Sequence, residues 1–362
     1  MSFPARSPRS HAERLRSPRT MLAAAAGVVL CAFTANGAAA DDYFKGKTIR
    51  IVIGTPPGGG YDAYGRLVAR HLGDFIPGKP TLVASNLPGA SGLKAATYLQ
   101  TVAPKDGTVI ATFNKSMPLY QALGQVPVEL KTEQLSYIGS VSQTSEVLSV
   151  WHKSGVKTIE DAKKREVLIG ADAATGTMAV YPTLLNATLG TKFKIVTGYA
   201  GGNAVNLAME QGEVDGRGTT TWSSLKATKP QWAKDGLLVP LVQVGLRKEA
   251  DLPHVPLLVE LAQNDEQRSM FRAMSAPISL ERLFAGPPGM DSEALAILRD
   301  AFSRLLQDPV VLAEAARQGM DISPRRGEDV GAIVADILAT PAPVIHKIKE
   351  ITGMKEGEAG KE

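Results

Sequence analysis

A glycine-rich stretch between a predicted strand and a predicted helix has the residue types that bind small anions. Three consecutive glycines follow two prolines and immediately precede the helix. Glycine has no Cβ to block a ligand, and the first N–H groups of a helix have no acceptor within it. The positive end of the helix dipole adds to this preference for an anion. A turn in which the glycines only permit a tight corner is the alternative. The residues predicted to bind a ligand here are Thr55, Gly58, Gly59, Gly60, Tyr61 and Asp62.

The spacing of these glycines excludes the two common nucleotide-binding motifs. Gly60 and Gly65 have the separation of a Walker loop, but Arg66 and Leu67 follow where that loop needs lysine and then serine or threonine. A dinucleotide-binding turn would also need an acidic residue about 20 positions further on, and residues 83–86 contain none. A small carboxylate therefore fits this stretch better than a nucleotide.

Three further loops follow predicted strands and are rich in small or polar residues. They span residues 86–92, 171–177 and 199–203. In open α/β sheets, ligands bind outside the carboxyl ends of the strands, so four such loops in two series predict one ligand held between two lobes. The binding residues predicted in these loops are Asn86, Gly89, Ala90, Ser91, Thr175, Gly176, Thr177, Tyr199, Gly201, Gly202 and Asn203.

The sequence patterns that would indicate a catalytic or metal site are weaker than those that indicate an anion site. Ser91 lies in a turn similar to a nucleophile elbow but lacks the Gly-x-Ser-x-Gly spacing. The five histidines are far apart in the sequence, and His71 is expected at the edge of a helix's apolar face. No His-x-x-His pattern predicts a metal. We therefore expect no enzyme, metal or cofactor, while Asp172 and Asp215 are candidate polar residues near the site.

Hydrophobic periodicity predicts the strands and helices that carry these loops. Two series of strand, loop and helix favour crossover connections and parallel sheets. The final third of the chain is predicted to be mainly helical, with Asp291 as the N-cap of one helix. Predicted strands lie at 49–53, 81–84, 109–113, 147–151, 167–170, 194–197 and 237–244.

The first 40 residues have the pattern of a cleavable secretory signal peptide. Five arginines precede the apolar run 21–33, and Ala38-Ala39-Ala40 provides a small-residue cleavage site before Asp41. An uncleaved membrane anchor is the alternative. Without this leader the chain has equal numbers of basic and acidic residues and no cysteine, because Cys31 lies in the leader. The basic pI therefore gives no support for nucleic-acid binding, and disulfides are not expected.

Several motifs in the chain resemble those of the substrate-binding receptors of tripartite tricarboxylate transporters, the Bug-type periplasmic proteins. The first loop, 57–62, and the second, 86–92, are similar to the Gly-rich and Asn-x-Pro-Gly-Ala-x-Gly loops of that family. Segments 103–108, 197–202, 211–215, 252–256 and 284–287 resemble its later motifs. The chain departs from the family pattern at three places: Tyr61 replaces a small residue, the loop 171–177 differs from the usual Ser/Gly-rich loop of the second lobe, and Arg217 has no common counterpart.

The resemblance implies a two-lobed α/β fold of the periplasmic-binding-protein (Venus-flytrap, type II-like) kind, each lobe a mainly parallel sheet flanked by helices. It places lobe 1 at 42–140 and 237–362 and lobe 2 at 141–236. The implied function is capture of a small carboxylate between the lobes and its delivery to cognate membrane transporter subunits. A ligand-sensing partner of a membrane receptor and an exported serine hydrolase using Ser91 stay open as alternatives. The sequence leaves the ligand, the oligomeric state and the roles of Asp215 and Arg217 undecided.

Overall fold

The computed structural model describes residues 43–172, 174 and 176–353. The signal peptide predicted at 1–40 and the predicted binding residue Thr175 lie outside the described residues. The chain forms two β-sheets, each with helices packed against it.

The first sheet combines strands from the beginning and the end of the chain. Its strands are β1 (Thr48–Ile53), β2 (Thr81–Asn86), β3 (Val109–Thr112), β4 (Ser136–Ser140), β10 (Leu283–Gly286) and β11 (Arg325–Arg326). Their order across the sheet is β11-β4-β10-β3-β1-β2. The helices that follow or pack on these strands are α1 (Gly60–Phe75), α2 (Leu93–Thr101), α3 (Met117–Ala122), α10 (Ser292–Leu305), α11 (Pro309–Arg317) and α12 (Gly327–Leu338).

The second sheet has five strands from the middle of the chain. These are β5 (Glu146–Trp151), β6 (Val167–Gly170), β7 (Phe193–Val196), β8 (Gly216–Thr221) and β9 (Leu238–Val244), in the order β7-β6-β8-β5-β9. The remaining helices are α4 (Ile159–Lys164), α5 (Thr177–Leu189), α6 (Gly202–Gln211), α7 (Trp222–Thr228), α8 (Pro230–Lys234), α9 (Asp265–Ser275) and α13 (Ala342–Thr352).

Strand β9 corrects the predicted point at which the chain returns to the first lobe. The sequence placed residues from 237 onward in lobe 1, but β9 pairs antiparallel with β5 in the second sheet. A long apolar strand can join either sheet, and its partner is decided by tertiary packing. Helices α9 and α13, from the last third of the chain, also contact α5 of the second sheet. Tyr181 on α5 donates a hydrogen bond to the Met274 carbonyl on α9 at 2.9 Å, and α13 packs against α5. The other predicted lobe limits stay predictions.

Both sheets are mixed, which corrects the prediction of mainly parallel sheets. The pairs β1–β2, β1–β3, β6–β7 and β6–β8 are parallel, as crossover connections require. The strands next to the two connections between the sheets, β4, β5, β9 and β10, make antiparallel pairs. Strands β10 and β5 run opposite to the crossover strands of their sheets. Strands β4 and β9 pair antiparallel with β10 and β5, so they run in the same direction as the crossover strands.

Helix α1 is held against the first sheet by its apolar face. Leu67, Val68 and Leu72 are fully buried and pack in one cluster with Ile49 and Ile51 of β1. Full burial of one such side chain contributes about 1.5–3 kcal/mol. The helix N-terminus is therefore fixed at the carboxyl end of β1.

Among the described residues, no single helix is long and apolar enough to cross a membrane. Helices α12 and α13 reach the required length only together, and they are bent by 82° at the break between them. Several of their apolar side chains, Val334 and Ile348 among them, are buried within the protein.

Candidate functional site

Asp62 joins the two glycine-rich loops of the first sheet. Its carboxylate accepts hydrogen bonds from the Gly58 N–H at 2.9 Å, from Arg66 Nε at 3.0 Å and from Asn86 Nδ2 at 2.8 Å. The hydrogen bond from Arg66 holds the pKa of Asp62 down at about 2, against the opposing effect of burial. Asp62 is thus an ionised anchor for the loop, in the first turn of α1, where the helix dipole also stabilises a negative charge.

Asn86 completes this framework from the end of β2. Its Nδ2 also donates to the Thr55 carbonyl at 2.9 Å, and its Oδ1 accepts from Arg66 Nη2 at 2.8 Å. Three of the predicted binding residues, Thr55, Asp62 and Asn86, are therefore brought together. The side chains of Asp62 and Asn86 are therefore used in holding the two loops together.

The backbone of the first loop is open to a ligand. Gly59 is the N-cap of α1, with ordinary extended dihedrals (φ −87°, ψ 173°) and no side-chain capping hydrogen bond. A Cβ added to Gly59 would meet nothing within 4 Å. Gly58, at φ +88°, is the position that needs glycine. The first-turn N–H groups at Gly60 and Tyr61 have no acceptor inside the helix, so they can donate to an anion.

The second loop runs against the first. Leu87 N–H donates to the Ile53 carbonyl at 2.8 Å, and a Cβ on Gly54 would lie 3.2 Å from Gly92 Cα. Ala90 has φ +46°, an uncommon conformation for a residue other than glycine, next to Gly89 at +145°. Such strained backbone persists where the surroundings fix it, and it concentrates at binding sites. Ser91 lies in the short 3₁₀ turn Ala90–Gly92.

The two predicted loops of the second sheet also meet. Gly198 N–H donates to the Asp172 carbonyl at 3.1 Å. Gly176 is the N-cap of α5, which begins at Thr177, and Gly201, at φ +134°, is the N-cap of α6, which begins at Gly202 and Asn203. Tyr199 lies beside this turn, where burial and then Glu213 raise its pKa. The loops are joined in pairs within each sheet; that all four face one ligand stays a prediction.

Arg282 adjoins the predicted binding residues Gly60 and Tyr61, although no signal in the sequence marked it. A Cβ on Gly60 would lie 2.5 Å from Arg282 Nη2, so the guanidinium lies directly against the start of α1. The same guanidinium lies over the rings of Tyr61 and Tyr64, 4.3 and 5.3 Å from their centroids, and pairs with Glu281 at 3.0 Å. Arg282 comes more than 200 positions after these residues in the sequence, so only the fold brings it to α1.

Tyr61 and Lys115 connect this arginine to a buried charge cluster. Tyr61 Oη accepts from the Lys115 N–H at 3.0 Å, and burial raises the Tyr61 pKa. Lys115 Nζ lies 3.2 Å from Glu146 and 2.5 Å from Glu281. Glu146 begins β5, whereas Lys115 follows β3, so the cluster ties the second sheet to the first.

A cavity of about 220 Å³ lies beside this cluster. Its lining comes from both sides of the molecule: Gly60 and Tyr64 on α1, Ser223 and Ser224 on α7, and Arg282. Gly60 is the predicted binding residue that lines it, so the cavity adjoins the predicted site at the start of α1.

The two residues whose roles the sequence left open now have clear positions. Asp215 Oδ2 accepts from the Leu168 N–H at 2.9 Å, so this carboxylate supports β6. Arg217 is buried on β8, where it donates to Asn206 Oδ1. Among the described residues, no group of three or more His, Cys, Asp or Glu side chains could hold a metal ion.

Residues 66–350 match the protein family described as the tripartite tricarboxylate transporter family receptor. The chain belongs to this family. A curated relative from Cupriavidus necator, the UPF0065 protein in the gbd 5′ region, is 26% identical over 336 residues, 90% of this chain and 94% of the relative. The Bordetella pertussis protein BugT is 22% identical over 91% of this chain and 97% of its own length.

Solved structures share the two-lobed fold of this chain. A TctC solute-binding protein from Polaromonas, solved without ligand, superposes with a TM-score of 0.65 at 19% identity, covering 85% of this chain and 98% of its own. An R. palustris protein solved with adipate gives 0.54 at 19% identity, covering 85% and 98%. MatC from Rhodopseudomonas palustris, solved with malate, gives 0.52 at 16% identity, covering 85% and 100%. At these identities the likeness establishes the fold.

Proposed function

We propose that this receptor works in the periplasm, binds a small carboxylate between its two lobes without changing it, and delivers it to the membrane subunits of a tripartite tricarboxylate-type transporter. The observation that carries the proposal is the start of α1. There the Asp62–Asn86 hydrogen bond joins two loops beside the first-turn N–H groups after Gly59, which have no acceptor within the helix.

The energetics explain why several groups must act together. One helix N-terminus stabilises an anion by only about 0.3–2 kcal/mol. Tight binding therefore needs several N–H donors at once, and a site from which water is excluded when the lobes close. A framework already held by Asp62, Arg66 and Asn86 reduces the ordering cost of binding.

The comparisons support a carboxylate as the ligand class. Two structures with this fold were solved with adipate and with malate, which are both small dicarboxylates. Transfer of that ligand class to this chain is part of the proposal, because the identities are below 20%.

Catalysis by Ser91 would need a general base within hydrogen-bond reach of its hydroxyl. His71 on α1 is engaged elsewhere, with its Nε2 2.6 Å from Glu314 on the side of α1 that packs against α11. The protein in our proposal therefore binds its ligand and releases it unchanged, and the assay below tests for turnover.

A thermal-shift screen of the mature chain against mono-, di- and tricarboxylates, aromatic acids and amino acids tests this function. We expect at least one carboxylate to stabilise the protein, by about 2.7 kcal/mol at 100 times its dissociation constant. Ester turnover is measured on the same samples, with Ser91→Ala as the matched control. Stabilisation without turnover supports the receptor. Turnover that is lost in Ser91→Ala, or a screen in which no carboxylate stabilises the protein, contradicts it.

A further inference from the structure

Arg217 lies level with the carboxyl end of β6, at the edge of the second sheet that carries the predicted binding loops. It is the second residue of β8 and is level with Gly170, the last residue of the parallel strand β6. The side chain points to the start of α6, where a Cβ on Gly202 would lie 2.9 Å from Arg217 Nη2. Gly202 belongs to the predicted binding loop 199–203, so the guanidinium lies against that loop.

The guanidinium is buried with few partners. Arg217 is only 4% exposed, its Nη1 donates to Asn206 Oδ1, and its Nε has no hydrogen-bond partner among the described residues. Within those residues no carboxylate oxygen lies within 4 Å of it, although Glu146 and Asp172 act on it from a longer distance. Glu146 is itself paired with Lys115.

This placement is electrostatically unfavourable when no anion is bound. A buried charge is costly unless it is paired. Here the cation also lies at the positive end of the α6 dipole, where a negative charge would be favoured. Burial accordingly lowers the pKa of Arg217 to about 10. An anion bound beside the guanidinium, next to the first turn of α6, would relieve both effects at once.

We propose that Arg217 receives a second carboxylate of the ligand, together with the first-turn N–H groups of α6, and so makes the receptor selective for dicarboxylates over monocarboxylates. This rests on the proposed function, in which the first carboxylate binds at α1. The two anion sites then lie at the carboxyl ends of β1 and β6, one in each sheet, so that a ligand with a charge at each end holds both lobes.

The test compares ligands that differ only in the second carboxylate. Isothermal titration measures succinate, glutarate and adipate against butyrate, pentanoate and hexanoate, on the wild type, Arg217→Gln and Arg217→Lys. We expect the wild type to prefer at least one dicarboxylate by about 100-fold over its monocarboxylate partner, because removing one member of a buried charge pair has effects of this size. Arg217→Gln should remove that preference while keeping monocarboxylate binding, and Arg217→Lys should keep part of it.

Two further variants separate ligand binding from a structural role. Arg272→Gln removes an exposed arginine that pairs with Asp336, and it should leave the preference unchanged. Arg217→Met replaces the buried cation by an apolar side chain of similar length, so the melting temperature of the ligand-free protein should not fall.

Three results would overturn the inference while leaving the receptor function intact: equal wild-type affinity for the two ligand classes, an unchanged preference in Arg217→Gln, or a stability loss in Arg217→Met with preserved dicarboxylate binding. Failure of every carboxylate in the wider screen would instead contradict the proposed function, and the inference with it.

Discussion

Lys115 and Glu146 form a buried ion pair between the two sheets, with Lys115 Nζ 3.2 Å from Glu146 Oε1. The same Nζ lies 2.5 Å from Glu281, which belongs to the connection that returns to the first sheet. The two side chains of the pair are only 14% and 8% exposed. This cluster therefore fixes how the strands on either side of the lobe connections meet, next to the start of α1.

We expect Lys115→Met to destabilise the protein by about 3–5 kcal/mol, because it leaves Glu146 buried without its cation. Burial lowers the Lys115 pKa, but Glu281 and Glu146 outweigh this and raise it above its ordinary value. A raised lysine pKa stabilises the fold at every pH below the unfolded pKa of about 10.4. The loss measured by urea unfolding should therefore be constant from about pH 6 to 9.

Lys194→Met is the matched control for this change. Lys194 pairs with Glu166 at 3.5 Å, but both side chains are more than 60% exposed, so we expect a loss of only about 0–1 kcal/mol. The double variant Lys115→Met/Glu146→Gln should recover part of the stability. Similar losses for Lys115→Met and Lys194→Met would contradict a structural ion pair.

Asp62→Asn tests the framework that joins the two loops of the first sheet. The pKa of Asp62 is lowered to about 2, first by the hydrogen bond from Arg66. A lowered carboxyl pKa adds stability above the unfolded value of about 3.9, and this stability is lost as the pH falls towards 2. Because Arg66 is 43% exposed, we discount the contribution to about 1–2 kcal/mol.

Urea midpoints at pH 7, 4, 3 and 2 measure this effect as the difference between wild type and Asp62→Asn. We expect the difference to be full at pH 7 and to shrink below about pH 4. Asp74→Asn, at an exposed position on the same helix, should change stability by less than about 0.5 kcal/mol at pH 7. A difference independent of pH would show that the Asp62 charge does not hold the loops.

The elements around the start of α1 could be predicted from sequence because their signals are local. Glycines, prolines and a following amphipathic helix mark the loop before α1, and the predicted strand at 49–53 lies within β1 (Thr48–Ile53). The roles of Asp62 and Asn86 could not be assigned in this way. They depend on distances between side chains 24 positions apart in the sequence.

Strand β8, which carries Arg217, is hard to recognise as a strand from its sequence. Its residues, Gly-Arg-Gly-Thr-Thr-Thr, lack the apolar run that marks a buried strand, and glycine is depleted in strands. Gly216 is needed because a Cβ there would lie 2.6 Å from the Ser149 carbonyl oxygen, and Gly218 because the Met178 backbone lies against it. The three consecutive threonines were the one signal that could have identified the strand.

Cleavage of the predicted signal peptide gives a direct test of export. We expect the N-terminus of protein recovered from the periplasmic fraction to be Asp41, because Ala38-Ala39-Ala40 has the small residues that signal peptidase requires. Ala38→Arg together with Ala40→Arg should block processing and leave the longer precursor. Periplasmic protein that begins before Met21 would contradict the predicted leader.

Gly59→Glu separates an anion site from a simple turn at the start of α1. The dihedrals of Gly59 (φ −87°) are allowed for any residue, and an added Cβ would meet no atom within 4 Å. The substitution should therefore not strain the loop. An acid at this helix N-terminus should stabilise the ligand-free protein by about 0.3–1 kcal/mol. The new carboxylate competes with the ligand for the same N–H groups and repels it, so affinity for a carboxylate found in the screen should fall by more than about tenfold. Gly59→Ala and the uncharged Gly59→Gln control for the added side chain and should keep most of the wild-type affinity by isothermal titration. Equal affinity in wild type and Gly59→Glu would remove this loop from the binding site.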